Sequence, residues 1–183
     1  GDDGNDTVIG GRGSDLVAGG EGDDVVFGGI IEGVPLSLDE MVALRDGGSL
    51  ADINGGIDLR DDSLGNTVTG GGGDDDLIIG SGDLAGGGEG LDTFHIMSEQ
   101  NGDTEATIAN FNANDDAITV IVEDTDVEAD ITVADENGDS VIRMGDTVLA
   151  RVTGAAGTID ASDITLISES TIAQMLDPNA AAA

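Results

Sequence analysis

GDDGNDTVI (1–9), GGRGSDLVA (10–18) and GGEGDDVVF (19–27) follow one another without a gap, and GGIIEGVPL (28–36) is a fourth copy in which the pattern fails. The unit returns as GGGGDDDLI from Gly70 and GGEGLDTFH from Gly87, with a shorter form, IGSGDLAG, from Ile79 to Gly86. Dropping one residue before Asp83 restores the phase and accounts for the spacing of 17 rather than 18 between Gly70 and Gly87. Each intact unit has Gly at its first and fourth places, Gly at the second in all but the first unit, Asp at the sixth and an aliphatic or aromatic residue at the eighth. Gly permits the positive φ and close backbone approach of a tight turn, and the residues after Asp are extended with one side chain pointing inward. Val8, Val17, Val26, Leu77 and Phe94 are therefore expected to stack in a core.

If nine residues make one turn and one short strand, two units complete a coil, and turns one coil apart lie above one another with their Asp side chains in register. Neighbouring strands sit about 4.8 Å apart, and like charges at roughly 4 Å repel by about 4 kcal/mol at an effective dielectric near 20. A bare column of carboxylates would split the coil. A hard cation between successive turns reverses the sign. Ca²⁺ suits such a place because it takes six to eight oxygens, from carboxylates and carbonyls, in flexible geometry, whereas Mg²⁺ demands a near-ideal octahedron and gives up water reluctantly. A flexible linker is the bland alternative for a chain with 31 glycines, but linkers do not hold Asp and an aliphatic residue at fixed offsets.

The composition agrees. In 183 residues there are 39 Asp and Glu against 5 Lys and Arg, a formal charge of -34, and all five bases are Arg. Nucleic acid is excluded as a partner, because neutralising phosphates needs basic residues. So acidic a chain with 2% aromatics approaches the signature of disorder, yet 38% hydrophobic residues in short alternating runs can build a core once carboxylate repulsion is relieved. With no Cys, stabilisation falls to metals or to packing. No apolar run is long enough to span a membrane as a helix. No amino-terminal signal peptide is visible, and because the chain opens inside a repeat its start is read as a cut through a longer polypeptide.

The units resemble the nonapeptide repeats of the RTX (repeats-in-toxin) family of type I secreted bacterial proteins. The resemblance implies a calcium-binding parallel β-roll. In the family's pattern an ion lies between paired turns, with carbonyls of places two and four plus Asp from one turn, and of places one and three plus Asp from the next. Carried onto this chain, one site takes Asp2, Gly4 and Asp6 with Gly19, Glu21 and Asp24, and another takes Gly71, Gly73 and Asp75 with Gly87, Glu89 and Asp92. Two further sites are expected. One sets Gly11, Gly13 and Asp15 against Gly28 and Ile30, with Gly33 where the next Asp belongs. The other sets Asn66, in place of an Asp, against Ile79, Ser81 and Asp83. About two to four calcium ions follow from this pattern.

The fold expected is all-β: a parallel β-roll over 1–95 with a helix-containing insertion at about 30–60, an antiparallel β cap and secretion-signal region over 96–170, and a tail over 171–183. In the insertion, Ser37 and Glu40 have capping-box spacing, and LDEMVALRDGG ends on Gly47. The cap is predicted from ATIANF, DAITVIVE, DITVADE, DSVIRM, TVLARV and DITLI, with Asn137-Gly138 as a hairpin turn and Gly145-Asp146 as a second. EATIANFNANDDAITV also resembles the sequence after the last repeat in secreted RTX proteins, including serralysin-type metalloproteases, although DPNAAAA at the end departs from the protease pattern. In that family the carboxy terminus carries an uncleaved signal for the type I secretion apparatus.

The expected role is a secreted, extracellular or cell-surface calcium module that folds on meeting calcium outside the cell. It is not expected to be an enzyme. No HExxH motif appears, there is no Cys or Lys, and His95, on a strand after Phe94, is the only imidazole. The alternatives are the terminal module of a secreted hydrolase, whose chemistry lies in another domain, and a surface adhesin holding calcium-bridged polysaccharide.

Overall fold

The computed structural model describes residues 1–33, 57–99, 104–123 and 129–175. The helix expected over 37–47 and the DPNAAAA end lie outside these residues. Each Gly-Asp turn is followed by a short strand, and successive strands alternate between two sheets. One sheet takes β1 (Thr7–Ile9), β3 (Val25–Phe27), β7 (Asp76–Ile79), β9 (Thr93–Met97), β11 (Ala117–Val122) and β15 (Ile164–Ser168), in that order. The other takes β2 (Leu16–Glu21), β6 (Thr67–Gly72), β8 (Leu84–Glu89), β10 (Ala106–Ala109) and β14 (Thr147–Val152), extended by β13 (Asp139–Met144) and β12 (Ile131–Glu136). All neighbours in the first sheet pair in parallel, as do β2, β6, β8, β10 and β14.

The register stacks eighth-place residues as the repeat predicts. Val8, Val26, Leu77, Phe94, Ile118 and Ile164 face one another rung by rung, opposite a column of Val17, Val68, Ala85, Ile108 and Val152. These columns close the dry interior, with Val8 at the partly buried end. The described ends of the insertion form an antiparallel pair, β4 (Ile30–Gly33) with β5 (Ile57–Arg60). The coil resumes where it stopped, so Val25 pairs with Asp76 and Leu16 with Thr67, 51 residues apart.

The coil does not stop at residue 95. β10, β11, β14 and β15 continue it in parallel, and among the described residues of 96–170 antiparallel pairing is confined to β12, β13 and β14. Alternation of apolar and polar residues has the same period in both kinds of sheet, so the pattern alone left this open. The hairpin turns fall where the sequence puts them: Asn137 and Gly138, with φ of 58° and 100°, join β12 to β13, and Gly145-Asp146 joins β13 to β14.

The outer faces of the two sheets differ. Leu16 and Leu84 on the second sheet are exposed, whereas the outer face of the first buries Phe27, Ile78, Met97 and Ile121 under Leu59 of β5 and Ile172 of the helix α1 (Glu169–Met175). Burial on both faces is why β7 and β9 read as near-continuous apolar runs, DLII and TFHIM.

Candidate metal centre

Along one edge of the roll, turns 1–6, 19–24, 70–75 and 87–92 lie on top of one another, and each sixth-place Asp reaches back to the turn before it. The amide of Asp6 donates to Asp24 Oδ1 at 2.8 Å, Asp24 to Asp75 Oδ1 at 2.9 Å, and Asp75 to Asp92 Oδ1 at 3.1 Å. A fourth rung lies beyond the repeats, where the Asp92 amide donates to Asp116 Oδ1 at 3.3 Å. The carboxylates therefore form one column, with Asp24, Asp75 and Asp92 each 1% exposed.

Three gaps separate the four Gly-rich turns, and each is lined by the same set of oxygens. In the first, the carbonyls of Asp2 and Gly4 face Gly20 and Gly22, the Gly19 carbonyl faces Gly1, and the Glu21 carbonyl accepts the Gly4 amide at 2.6 Å. The second repeats this with Gly20, Gly22, Gly70 and Gly72, and the third with Gly71, Gly73, Gly87 and Glu89. Approach is so close that a Cβ at Gly20, Gly71 or Gly88 would collide with the carbonyl oxygen of Asp2, Gly20 or Gly71, and all three adopt φ near +135°. Only Gly fits there. A Cβ at Gly19 or Gly70 would strike Oδ2 of that turn's own Asp.

That second oxygen is the informative one. Asp24 Oδ2 and Asp75 Oδ2 are buried and have no hydrogen-bond partner, and leaving a buried acceptor unsatisfied costs about 1–3 kcal/mol, more for a charged group. Burial pushes Asp75 up to about 6, against the Asp24 amide, which lowers it, and with the charges of Asp92 and Asp24 adding to the rise. Burial likewise raises Asp92, with Asp116 and Asp74 contributing. Oxygen-rich gaps with orphaned carboxylate oxygens fit a hard cation. Among the described residues no three His, Cys, Asp or Glu side chains converge, so an ion here would rest on carbonyls as much as on carboxylates.

The structure brings the residues of the two principal expected sites together around the first and third gaps. The second gap was missed, because Gly19–Asp24 and Gly70–Asp75 are separated by the insertion and the signal lies only in their matching phase.

The opposite edge is built differently. Gly11 donates to the Gly29 carbonyl at 3.0 Å and a Cβ on Gly10 would meet the Gly28 carbonyl, so Gly28 lies where expected. Ile30 does not: it leaves in β4 opposite Arg60, and Gly33 faces Ile57. The insertion cuts this turn in two, and residues 61–66 complete it. Asp62 Oδ2 accepts the Gly13 amide and Asn66 Oδ1 the Asp15 amide, at 2.8 and 2.9 Å. One coil on, Asn66 donates both its backbone and its side-chain nitrogen to Asp83 Oδ1, at 2.7 and 3.0 Å, while Asp83 Oδ2 takes the Gly80 amide. Ser81 donates to Asp61 Oδ2 at 2.8 Å, and Ile79 buries its side chain in the core. Burial raises Asp83 to about 6, opposed by the Gly80 and Asn66 donors and assisted by the charge of Asp61. On this edge the Asn66 amide pairs with Asp83, while Asp15 Oδ2 is buried without a hydrogen-bond partner. Asn66→Asp is accordingly expected to lower stability at fixed millimolar calcium by about 1–3 kcal/mol, the cost of a lost donor to a buried charge. Urea midpoints of the native and variant chains in the same calcium check this; coincident midpoints refute it.

His95 is 3% exposed, with Nδ1 2.7 Å from Thr119 Oγ1 and Nε2 2.9 Å from Asp76 Oδ1. Both ring nitrogens are engaged beneath the covered face of the first sheet.

Among the described residues no helix is long and apolar enough to cross a membrane. No curated protein sequence matches the chain. Among solved structures it is similar to the extracellular lipase LipA from Serratia marcescens, at 18% identity and a TM-score of 0.33, over 90% of this chain and 38% of the lipase. Residues 1–30, which hold the first gap of the column, match the profile of the RTX calcium-binding nonapeptide repeat, in four copies. The repeats that open this roll are thus RTX calcium-binding nonapeptide repeats.

Proposed function

We propose that this chain is the calcium-responsive folding module of a larger secreted protein, non-catalytic in itself, and that it takes up one ion in each of the three gaps of the Asp column. The observation that carries the reading is the threefold recurrence of one oxygen set around the buried, unpartnered Oδ2 of Asp24 and Asp75. When bound, calcium supplies the positive charge that these oxygens lack. The residues do the rest: Asp6, Asp24, Asp75 and Asp92 present carboxylates in register, the glycines let carbonyls approach, and Val26, Leu77 and Phe94 hold the rungs together from inside.

Without ions, a net charge of -34 and a stacked carboxylate column favour the open chain, the form in which a type I apparatus exports a polypeptide. Extracellular calcium modules bind at about 10⁻⁴ to 10⁻³ M, and an ion at 100 times its dissociation constant adds about 2.7 kcal/mol per site. Three sites together are comparable with the whole stability of a domain, about 5–15 kcal/mol. The engaged, buried state of His95 supports a non-catalytic role. Far-UV circular dichroism at pH 7 tests the reading: disorder in chelator and β structure in millimolar calcium are expected, with about three ions bound by titration calorimetry. A fully folded spectrum in excess chelator overturns it.

A further inference from the structure

The insertion interrupts the column between turn 19–24 and turn 70–75, so the middle gap is assembled from halves 51 residues apart, against 18 and 17 for its neighbours. Closing the longer loop is about fivefold less favourable by chain entropy alone. The two carboxylates that border the middle gap, Asp24 and Asp75, each leave an Oδ2 buried without a hydrogen-bond partner. The insertion leaves after Gly29 and returns at Arg60, whose carbonyl oxygen lies against Gly29. Its hairpin buries Leu59 on the outer face of the first sheet, in a seat made of Phe27 from before the insertion and Ile78, Met97 and Ile121 from after it. The Phe27 side of the seat is therefore in place only when β3 lies on β7, with Phe27 opposite Ile78. Ile31 of β4 and Ile172 of α1 pack in the same cluster, and the exposed ion pairs of Arg12 with Glu32 and Arg60 with Glu99 are of the kind that contribute little.

We propose that the middle gap is a joint: cation binding between Asp24 and Asp75 docks the strand pair β4–β5 on the roll. This rests on the calcium reading above and goes beyond it, because it assigns one gap a task that its two neighbours do not have. Asp24 and Asp75 border the joint, whereas Asp6 borders only the first gap and Asp92 borders only gaps further on.

Hydrogen exchange of the full chain in millimolar calcium at pH 7 separates these roles. In Asp24→Asn and Asp75→Asn, amides of 30–33 and 57–60 are expected to exchange at least tenfold faster than in the native chain, while β10 and β14 stay protected. In Asp6→Asn and Asp92→Asn the hairpin amides are expected to stay within about twofold of native. Equal hairpin protection in all four variants overturns the joint and leaves calcium-dependent folding standing. Loss of β10 and β14 protection together with the hairpin in Asp24→Asn and Asp75→Asn also overturns it, since the effect is then global. Native exchange that ignores calcium throughout removes the calcium reading itself, and the joint with it.

Discussion

Gly71→Val is expected to abolish the calcium-dependent transition, or to lower its melting temperature by well over 10 °C, while Gly72→Val next to it melts within a few degrees of the native chain. Gly71 adopts φ of +135°, and its Cβ position coincides with the Gly20 carbonyl oxygen of the preceding turn. Backbone strain of this kind costs about 1–3 kcal/mol. A β-branched side chain adds a collision that only a wider strand separation relieves. Widening breaks the Asp24-to-Asp75 hydrogen bond and the pairing of Val25, Val26 and Phe27 with β7. It also pulls the carbonyls of Gly20 and Gly22 away from Asp75, so the ion that would offset the strain loses its ligands. Gly72 has no positive φ, and the nearest atom to its Cβ position is the flexible Glu21 carboxylate at 3.4 Å. For a domain of this size about 1 kcal/mol corresponds to a shift of a few degrees, so the two variants are well separated in a thermal melt at fixed calcium. Coincident melting curves would show that the close approach of successive turns is not what holds the roll.

How much of this was legible depends on where the information lies along the chain. The coil, its inward column from Val8 to Phe94 and the principal Asp pairs follow from phase within a run, and the structure has all of them in register. The middle gap escaped because register across an insertion is decided by which edge strand is free. β3 offers an unpaired edge and β7 fills it, a tertiary choice with no local sequence signal. For the same reason Ile30, in phase by counting, is carried away in β4 while Asp62 and Asn66 take over its turn. The continuation through β10, β11, β14 and β15 was hidden differently. Those rungs have lost the Gly-Asp code, yet Asp116 still answers the Asp92 amide, and Asn112 braces Asp116 Oδ2 with its own amide at 2.8 Å. The motif NANDD, side-chain rich rather than glycine rich, marked that turn in the sequence. Phe111 anchors it, its ring 6.1 Å from that of Phe94.

Acidification is expected to stabilise the ion-free chain and to weaken calcium binding, two opposite responses from one column. Asp75 and Asp83 are raised to about 6 from an ordinary value of 3.8, chiefly by burial, and Asp92 is raised in the same direction. A carboxylate raised on folding binds more protons in the folded than in the unfolded state at intermediate pH. Its favourable contribution is complete below the unfolded value near 3.8 and is lost as pH rises through about 6. A rise from 3.8 to about 6 corresponds to about 3 kcal/mol, so Asp75 and Asp83 together move the ion-free stability by several kcal/mol between about pH 4 and pH 7. In calcium the sign reverses at Asp75, because an ion in its gaps needs the ionised carboxylate, and the calcium midpoint of folding rises as pH falls through 6. Asp83 lies on the edge closed by Asn66 and keeps the ion-free sign in both conditions. Far-UV circular dichroism in chelator at pH 4.5 and 7.5, set beside calcium titrations at the same two values, reads both effects. A chelated chain with more β structure at pH 7.5 than at 4.5 would mean that burial does not disfavour these ionised carboxylates, and the need for cations between the turns would go with it.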